Sequence, residues 1–244
     1  NLHPQNTLIH TRTASPGKIY TALSNLKNQG FTVINDPETI RLTSDKFNAC
    51  DFALKNQLPC AATWKKQKSE APTSIREIVE SGKSVVVKPV VSQGQGVYCL
   101  KFDRNNLQQI GEIENIPSKN LVLQEFINCT RLSRVIVIGF KALKECVFYD
   151  EPHGQDWKCS VCLNNQIELD KNPSEALLNL AEETAKKFNS EIGFIDIFST
   201  KNGFVLNEIN TACSLAIHEQ KSGINISGKI AEYLVECYKK RVGI

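Results

Sequence analysis

The chain has 244 residues, 41% hydrophobic and 23% charged side chains and a formal net charge of +3, the make-up of a globular protein with room for one large domain or two small ones. No stretch of about eighteen apolar residues occurs, which excludes a membrane-spanning helix on length. Asn1 to Gln5 lack the basic and apolar regions of a secretory signal, and no aromatic-and-basic pattern marks a nucleic-acid groove, so neither a membrane nor a nucleic acid is expected as partner.

In chain order, Thr7 to Ile9 predicts a short strand. Ile19, Ala22, Leu23 and Leu26 then keep helical spacing until Gly30, and Phe31 to Ile34 is a second strand closed by Asn35-Asp36-Pro37. Residues 1–42 thus read as a βαβ unit, the tail of a nucleotide-binding-type layer whose earlier strands are absent. The chain has no methionine, even at position 1, which leaves open an unusual composition or a piece of a longer protein. Thr43 and Ser44 offer N-caps for a helix carrying Phe47, Cys50 and Leu54 on one face and ended by Leu58-Pro59, so residues 43–62 form a linking helix.

Residues 63–121 predict a second unit. Ser74 and Glu77 form a capping box before Ile75, Ile78 and Val79, and Gly82 ends that helix. Two strands, Val85 to Val87 and Val97 to Leu100, flank a glycine-containing loop. A third unit, residues 122–244, takes its first strand from Leu121 to Gln124. Further strands are expected at Val135 to Ile138, Trp157 to Leu163, Gly193 to Ser199 and Phe204 to Ile209. Between them a helix capped by Asn172, with Pro173 in its first turn, turns Leu177, Leu178, Ala181, Ala185 and Phe188 inward, and a last helix places Ile226, Ile230 and Leu234 on one face. The nine cysteines are odd in number and irregularly spaced, which reads as reduced thiols of a cytoplasmic protein. Cys159 and Cys162 form a C-x-x-C that could be a redox or zinc site. An extended Trp157–Leu163 would instead point the two thiols to opposite faces, and no second C-x-x-C completes four ligands.

The most informative segment is Phe194-Ile-Asp-Ile-Phe198, then Lys201-Asn202-Gly203, then Val205-Leu-Asn-Glu-Ile-Asn210. A three-residue hairpin loop with Gly203 in the left-handed position pairs Thr200 with Phe204 and sets Asp196 across from Glu208, with Asn210 on the same face. Facing carboxylates repel unless a cation lies between them, and two carboxylates with an amide carbonyl are the hard oxygen ligands that magnesium takes. A polar outer face of the hairpin is the alternative, and a two-residue loop would put Asp196 and Glu208 on opposite faces. Upstream, the strand ending in Lys88-Pro89 supplies a compact positive charge, and Gly94 and Gly96 can bring backbone N–H groups against phosphates, although a plain hairpin loop explains them equally. Leu121-Val-Leu-Gln-Glu-Phe-Ile127 is either an ordinary strand end or a backbone edge that reads adenine.

Taken in order, these segments resemble the ATP-grasp superfamily, specifically the RimK-like carboxylate–amine ligases. The match runs from about Asp36 through Thr43-Ser-Asp-Lys46, Lys88-Pro89, Gly94/Gly96, Gln124-Glu-Phe-Ile127, Arg134, Phe194-Ile-Asp-Ile197 and Asn207-Glu-Ile-Asn210 to Ser222-Gly-Ile-Asn-Ile226. The resemblance implies an α+β ATP-grasp fold, two lobes gripping ATP, behind a truncated N-terminal βαβ segment. By position, Lys46 and Lys88 touch the phosphates, the Gly94/Gly96 loop folds over them, and Gln124, Glu125, Phe126 and Ile127 hold the adenine. Asp196, Glu208 and Asn210 bind two magnesium ions, with manganese as a substitute, and Arg134 neutralises the transferred phosphoryl group. A carboxylate from a small molecule or peptide takes the γ-phosphate, and an amine, such as that of glutamate, displaces phosphate to form an amide. Self-association into a homo-oligomer is left open.

The chain departs from the family pattern in three places. Leu132 stands where a ribose-binding aspartate is usual. Trp157-Lys158-Cys159-Ser160 replaces a Phe-Arg-x-Asn strand, leaving Lys158 as the catalytic cation without arginine's bidentate fork. The N-terminal domain is cut to its last βαβ. These losses keep two other readings open, an ATP-binding module without turnover and an ATP-grasp phosphotransferase.

Overall fold

The computed structural model describes residues 2–12, 16–90, 98–152, 157–159, 161 and 167–244. Strand β1 (Leu8–His10), helix α1 (Pro16–Asn28) and strand β2 (Thr32–Ile34) make the expected unit, with β1 and β2 parallel. Asn35-Asp36-Pro37 opens a helix where the sequence suggested a closing turn. Asp36 caps α2 (Pro37–Ser44) by accepting the Glu38 N–H at 2.9 Å, and Pro37 occupies the first turn, where its missing donor costs nothing. Thr43 and Ser44 therefore end one helix and do not cap the next. The cap of α3 (Lys46–Lys55) is Asp45, which accepts from the N–H groups of Phe47 and Asn48 at 2.9 and 3.0 Å. Buried Asn35 exchanges two hydrogen bonds with the backbone of Ile192, fastening this segment to the body of the protein.

Strand β3 (Thr63–Gln67), helix α4 (Ala71–Glu80), strands β4 (Val85–Pro89) and β5 (Leu100–Phe102) and strand β6 (Asn120–Glu125) form a four-stranded sheet of order β3-β6-β4-β5. Strand β6, expected to open the third unit, thus lies between β3 and β4 and crosses the expected boundary at 121/122. The cap of α4 is Glu70, without a side-chain cap bond, so Ser74 and Glu77 lie inside the helix and form no capping box. Ala71, Ile75 and Val79 pack on Val85, Val87, Leu121 and Leu123. Alternation along β4 turns Val86 and Lys88 to the opposite face.

The larger sheet has the order β11-β10-β7-β8-β9 among the described residues, built from β7 (Arg131–Ile138), β8 (Lys141–Asp150), β9 (Glu168–Leu169), β10 (Ile192–Thr200) and β11 (Gly203–Asn210). Helix α5 (Glu175–Lys187), capped by Ser174 and not by Asn172, covers one face through Leu177, Leu178, Ala181 and Ala185 against Val135, Val137, Ile195 and Ile197. The other face packs Leu132, Ile136, Phe148 and Phe194 against Leu215, beside α6 (Ala216–Ser222), and Ile226 and Ile230 of α7 (Ile226–Val242). Residues 157–159 and 161 are not in a strand, contrary to the extended Trp157–Leu163 expected, and Cys162 lies outside the described residues. No helix among the described residues is long and apolar enough to cross a membrane.

Candidate active site

Three neighbouring strands place one charged residue each in a row. Arg134 of β7 lies opposite Asp196 of β10, and Asp196 lies opposite Glu208 of β11. The expected register holds, but by a different route. The hairpin loop has two residues, since Thr200 pairs with Gly203, and a bulge between the Asp196/Glu208 and Ile197/Leu206 pairs leaves Asn207 unpaired. The extra residue restores what the short loop would have lost. Leu206 and Ile209, three apart, consequently both face the core beneath α5.

Arg134 is buried and grips Asp196 with both arms of its guanidinium, Nε to Oδ1 at 2.8 Å and an outer nitrogen to Oδ2 at 2.7 Å. Asn210 Nδ2 approaches Asp196 Oδ2 at 3.4 Å. At the start of α3, Lys46 Nζ donates to Glu208 Oε1 at 2.5 Å, and Lys88 Nζ donates to Gln124 Oε1 at 2.7 Å. Gln124 is itself fixed by donating to Thr63 Oγ1 and Cys50 Sγ, at 3.2 and 3.3 Å. Its side chain thus serves the lysine pocket, while Glu125 and Phe126 face elsewhere. Lys46, Lys88 and Glu208 line one pocket with Thr43, Cys50 and Cys60, so residues 42 positions apart meet as the sequence suggested.

Electrostatics in this pocket is a contest between burial and pairing. Burial opposes charge on Glu208, but Lys46 and then Lys88 outweigh it and hold the carboxyl below its ordinary range. Burial would likewise lower Lys46, and Glu208 more than reverses this. Burial, reinforced by the nearby Lys46 charge, pushes Lys88 below the usual lysine range. Burial pushes Asp196 up against the pull of Arg134. Among the described residues, Arg134 and Lys46 each hold a carboxylate, whereas Lys88 bonds a neutral amide.

A second cleft of about 600 Å³ is lined by Lys83, Lys101, Glu125, Phe126, Cys129 and Trp157, among others. Glu125 pairs with Lys83 at 2.8 Å, and the Lys101 ammonium lies 4.1 Å from the centroid of the Phe126 ring, which meets Trp157 edge-on at 6.0 Å. Ile127 follows half-buried. Lys158 is exposed, its Nζ 5.5 Å from the Trp157 ring centroid. Gly94 and Gly96 lie outside the described residues. Sequence reasoning passed over Lys83, Lys101 and Cys129 because none belongs to a motif. The position of Cys50, one helical turn after Lys46, was the available signal for placing its thiol by the pocket.

The family model of the RimK-like ATP-grasp domain matches residues 43–234. The chain belongs to the RimK-like ATP-grasp family. It is accordingly an enzyme of the ATP-dependent carboxylate–amine ligase class. Among its relatives is a probable alpha-L-glutamate ligase of Legionella pneumophila (strain Corby), 22% identical over 218 residues that cover 87% of this chain and 70% of that protein. The glutamate–LysW ligase ArgX of Sulfurisphaera tokodaii is 26% identical over 237 residues, covering 92% of this chain and 81% of ArgX. The solved structure of the ATP-grasp ligase PsnB, complexed with a phosphomimetic variant of its minimal precursor, Mg and ADP, superposes with a TM-score of 0.69 at 18% identity, over 91% of this chain and 67% of PsnB. The likeness carries the fold, and it is the ATP-grasp fold expected from the sequence.

Proposed function

We propose that this RimK-like ligase joins a carboxylate, from a small molecule or a peptide, to the amine of an amino acid such as glutamate, with ATP as co-substrate. The observation that carries the reading is the row Arg134–Asp196–Glu208 across three strands, with Lys46 and Lys88 facing the same pocket. Asp196 and Glu208 lie opposite each other, and a half-turn of the Asn210 amide presents its carbonyl oxygen beside them, a hard donor set that fits magnesium. Two ions, or manganese in their place, would be held by these three residues and would supply charge neutralisation for the phosphates.

The remaining work falls to the chain's own groups. Lys88, the cation bonded to a neutral amide, is free to meet a phosphate without abandoning a carboxylate. With magnesium held by Glu208 and Asp196, Lys46 and Arg134 would be released from these carboxylates to neutralise phosphate oxygens. Phosphoryl transfer to the substrate carboxylate gives an acyl phosphate and ADP; the amine nitrogen then attacks the acyl carbon and phosphate leaves. This needs positioning and charge neutralisation and no side-chain nucleophile. Phe126 and Trp157, in the second cleft, suit a flat adenine ring, with Glu125 and the Ile127 backbone at its edge. Lys158 retains a charge for the substrate carboxylate.

The test is product analysis. With Mg-ATP, a panel of carboxylates and L-glutamate, phosphate release should require the amine, and hydroxylamine should intercept the acyl phosphate as a hydroxamate. A phosphorylated acceptor would make the protein a kinase, and no nucleotide turnover with any pair would make it a binding module. The similar proteins, being ligases, favour neither.

A further inference from the structure

The lysine pocket contains two thiols that phosphoryl transfer does not use. Cys50 is buried on α3, one turn after Lys46 and on the same face of that helix. Cys60 is half-buried in the segment that follows α3, and this segment is pinned to β11: the Leu206 N–H donates to the Pro59 carbonyl at 2.6 Å, and Cys60 bridges Leu206. Both thiols line the pocket that holds Lys46, Lys88 and Glu208.

The chemistry of the two sulfurs is asymmetric. The Cys60 S–H, opposed by burial and assisted by the Lys88 charge, brings the Cys50 thiol down to about 6, while Cys60 is pushed up. Gln124 Nε2 adds a donor 3.3 Å from Cys50 Sγ. A thiolate flanked by cations, with a protonated thiol lining the same pocket, is the arrangement of an attacking and a resolving cysteine.

We propose that Cys50 and Cys60 form a peroxide-reactive dithiol in the wall of the lysine pocket, which closes to a disulfide when the pocket is empty and is shielded when nucleotide phosphates fill it. The Cys50 thiolate attacks one oxygen of hydrogen peroxide, breaking the O–O bond to give Cys50 sulfenic acid and hydroxide. Cys60 then gives up its proton and attacks that sulfur, and water leaves as the S–S bond forms. The two sulfurs lose two electrons and the peroxide gains them; the hydroxide takes up the proton that Cys50 lost on ionising, so two waters result.

The consequence follows from what the bond would join. Cys50 rides on the helix that carries Lys46, and Cys60 lies in the segment after that helix, pinned through Leu206 to the strand that carries Glu208. A disulfide in the pocket wall ties the helix to this pinned segment, and so to the strand, and hinders the opening of the Lys46–Glu208 pair that phosphate and metal require. Shielding by nucleotide rests on the proposed ligase function; the dithiol itself does not.

The experiment treats the full chain with hydrogen peroxide, without nucleotide and with saturating Mg-ATP, and maps peptides under non-reducing conditions. A linked peptide joining Cys50 to Cys60 is expected in the empty protein, with loss of Mg-ATP binding that thiol reductant restores. In Cys60→Ser the reaction should stop at Cys50 sulfenic acid, trapped by dimedone. No linkage in the empty protein, or linkage of Cys50 to Cys99 instead, would overturn the proposal, and this outcome is readable in the natural chain even if the variant does not fold. Equal linkage with Mg-ATP, where calorimetry proves saturation, would overturn the shielding while leaving the ligase reading intact. Absence of calorimetric ATP binding would sink the ligase reading, and the linkage in the empty protein would still decide the dithiol.

Discussion

The two recesses of this protein prepare for a ligand in opposite ways. The lysine pocket and the strand row beside it are already full of charge: Arg134 holds Asp196 and Lys46 holds Glu208, each pair largely shielded from water, with side-chain exposures of 1% and 6% in the first and 13% and 32% in the second. A phosphate entering there would have to trade places with existing partners. The second cleft is open, walled by Phe126 and Trp157, and its ion pair is exposed, with Lys83 at 51%. A flat ring need displace only water. The difference teaches that the fixed cost of organising the charged pocket is met in folding, before any ligand arrives, whereas the cleft contributes mainly contact area.

The comparison breaks most easily at Arg134. Arg134→Ala leaves a buried carboxylate unpaired and should lower the unfolding free energy by about 3–5 kcal/mol in urea titration. A loss no larger than that of an exposed pair would mean that the row is not desolvated. Next comes His218, which is buried edge-on against Phe148 at 4.7 Å, Phe148 lying opposite Arg134 on β8. Burial, and then the Arg134 charge, lower His218 from 6.5 to about 4. The folded state therefore keeps His218 neutral while the unfolded chain takes up its proton. Stability should be whole above pH 6.5 and fall by about 3 kcal/mol as pH drops toward 4, a slope that His218→Gln should flatten.

Two smaller effects sharpen the contrast between the recesses. Lys88→Ala should weaken ATP by about 1.5–3 kcal/mol, and inorganic triphosphate by as much, in calorimetry. Trp157→Ala should cost ATP about 0.5–1.5 kcal/mol and leave triphosphate unaffected. If both variants hurt triphosphate equally, the division of labour is wrong. Smallest of all, Lys83→Ala should change stability by less than about 1 kcal/mol, because its partner Glu125 remains in contact with water.

Much of the site was legible because strand alternation is strict: charged residues in otherwise apolar β7 and β10, and Lys88 at the end of β4, announce themselves against their neighbours. What stayed hidden was non-local. Nothing in Leu121–Gln124 says which sheet it joins, since its partners begin at Thr63, far up the chain. Strand β8 was overlooked because Lys141–Asp150 alternates poorly, with Lys144 and Glu145 both exposed and Cys146 to Phe148 all buried. Asp36-Pro37 was read as a turn, although the same pair is an equally good helix start. The facing of Asp196 and Glu208 was reached through a loop one residue too long, and the bulge that compensates leaves no sequence signal in Asn207 itself.

That compensation makes the hairpin tip and the carboxylates separately editable. Removing Asn207 alone should leave a regular two-residue hairpin in which Glu208, now next to Leu206, still faces Asp196. Removing it while adding one residue to the Lys201-Asn202 turn should give a three-residue loop with the same pairing. A redesigned hairpin of this kind can therefore differ in length at both places and still present the same two carboxylates.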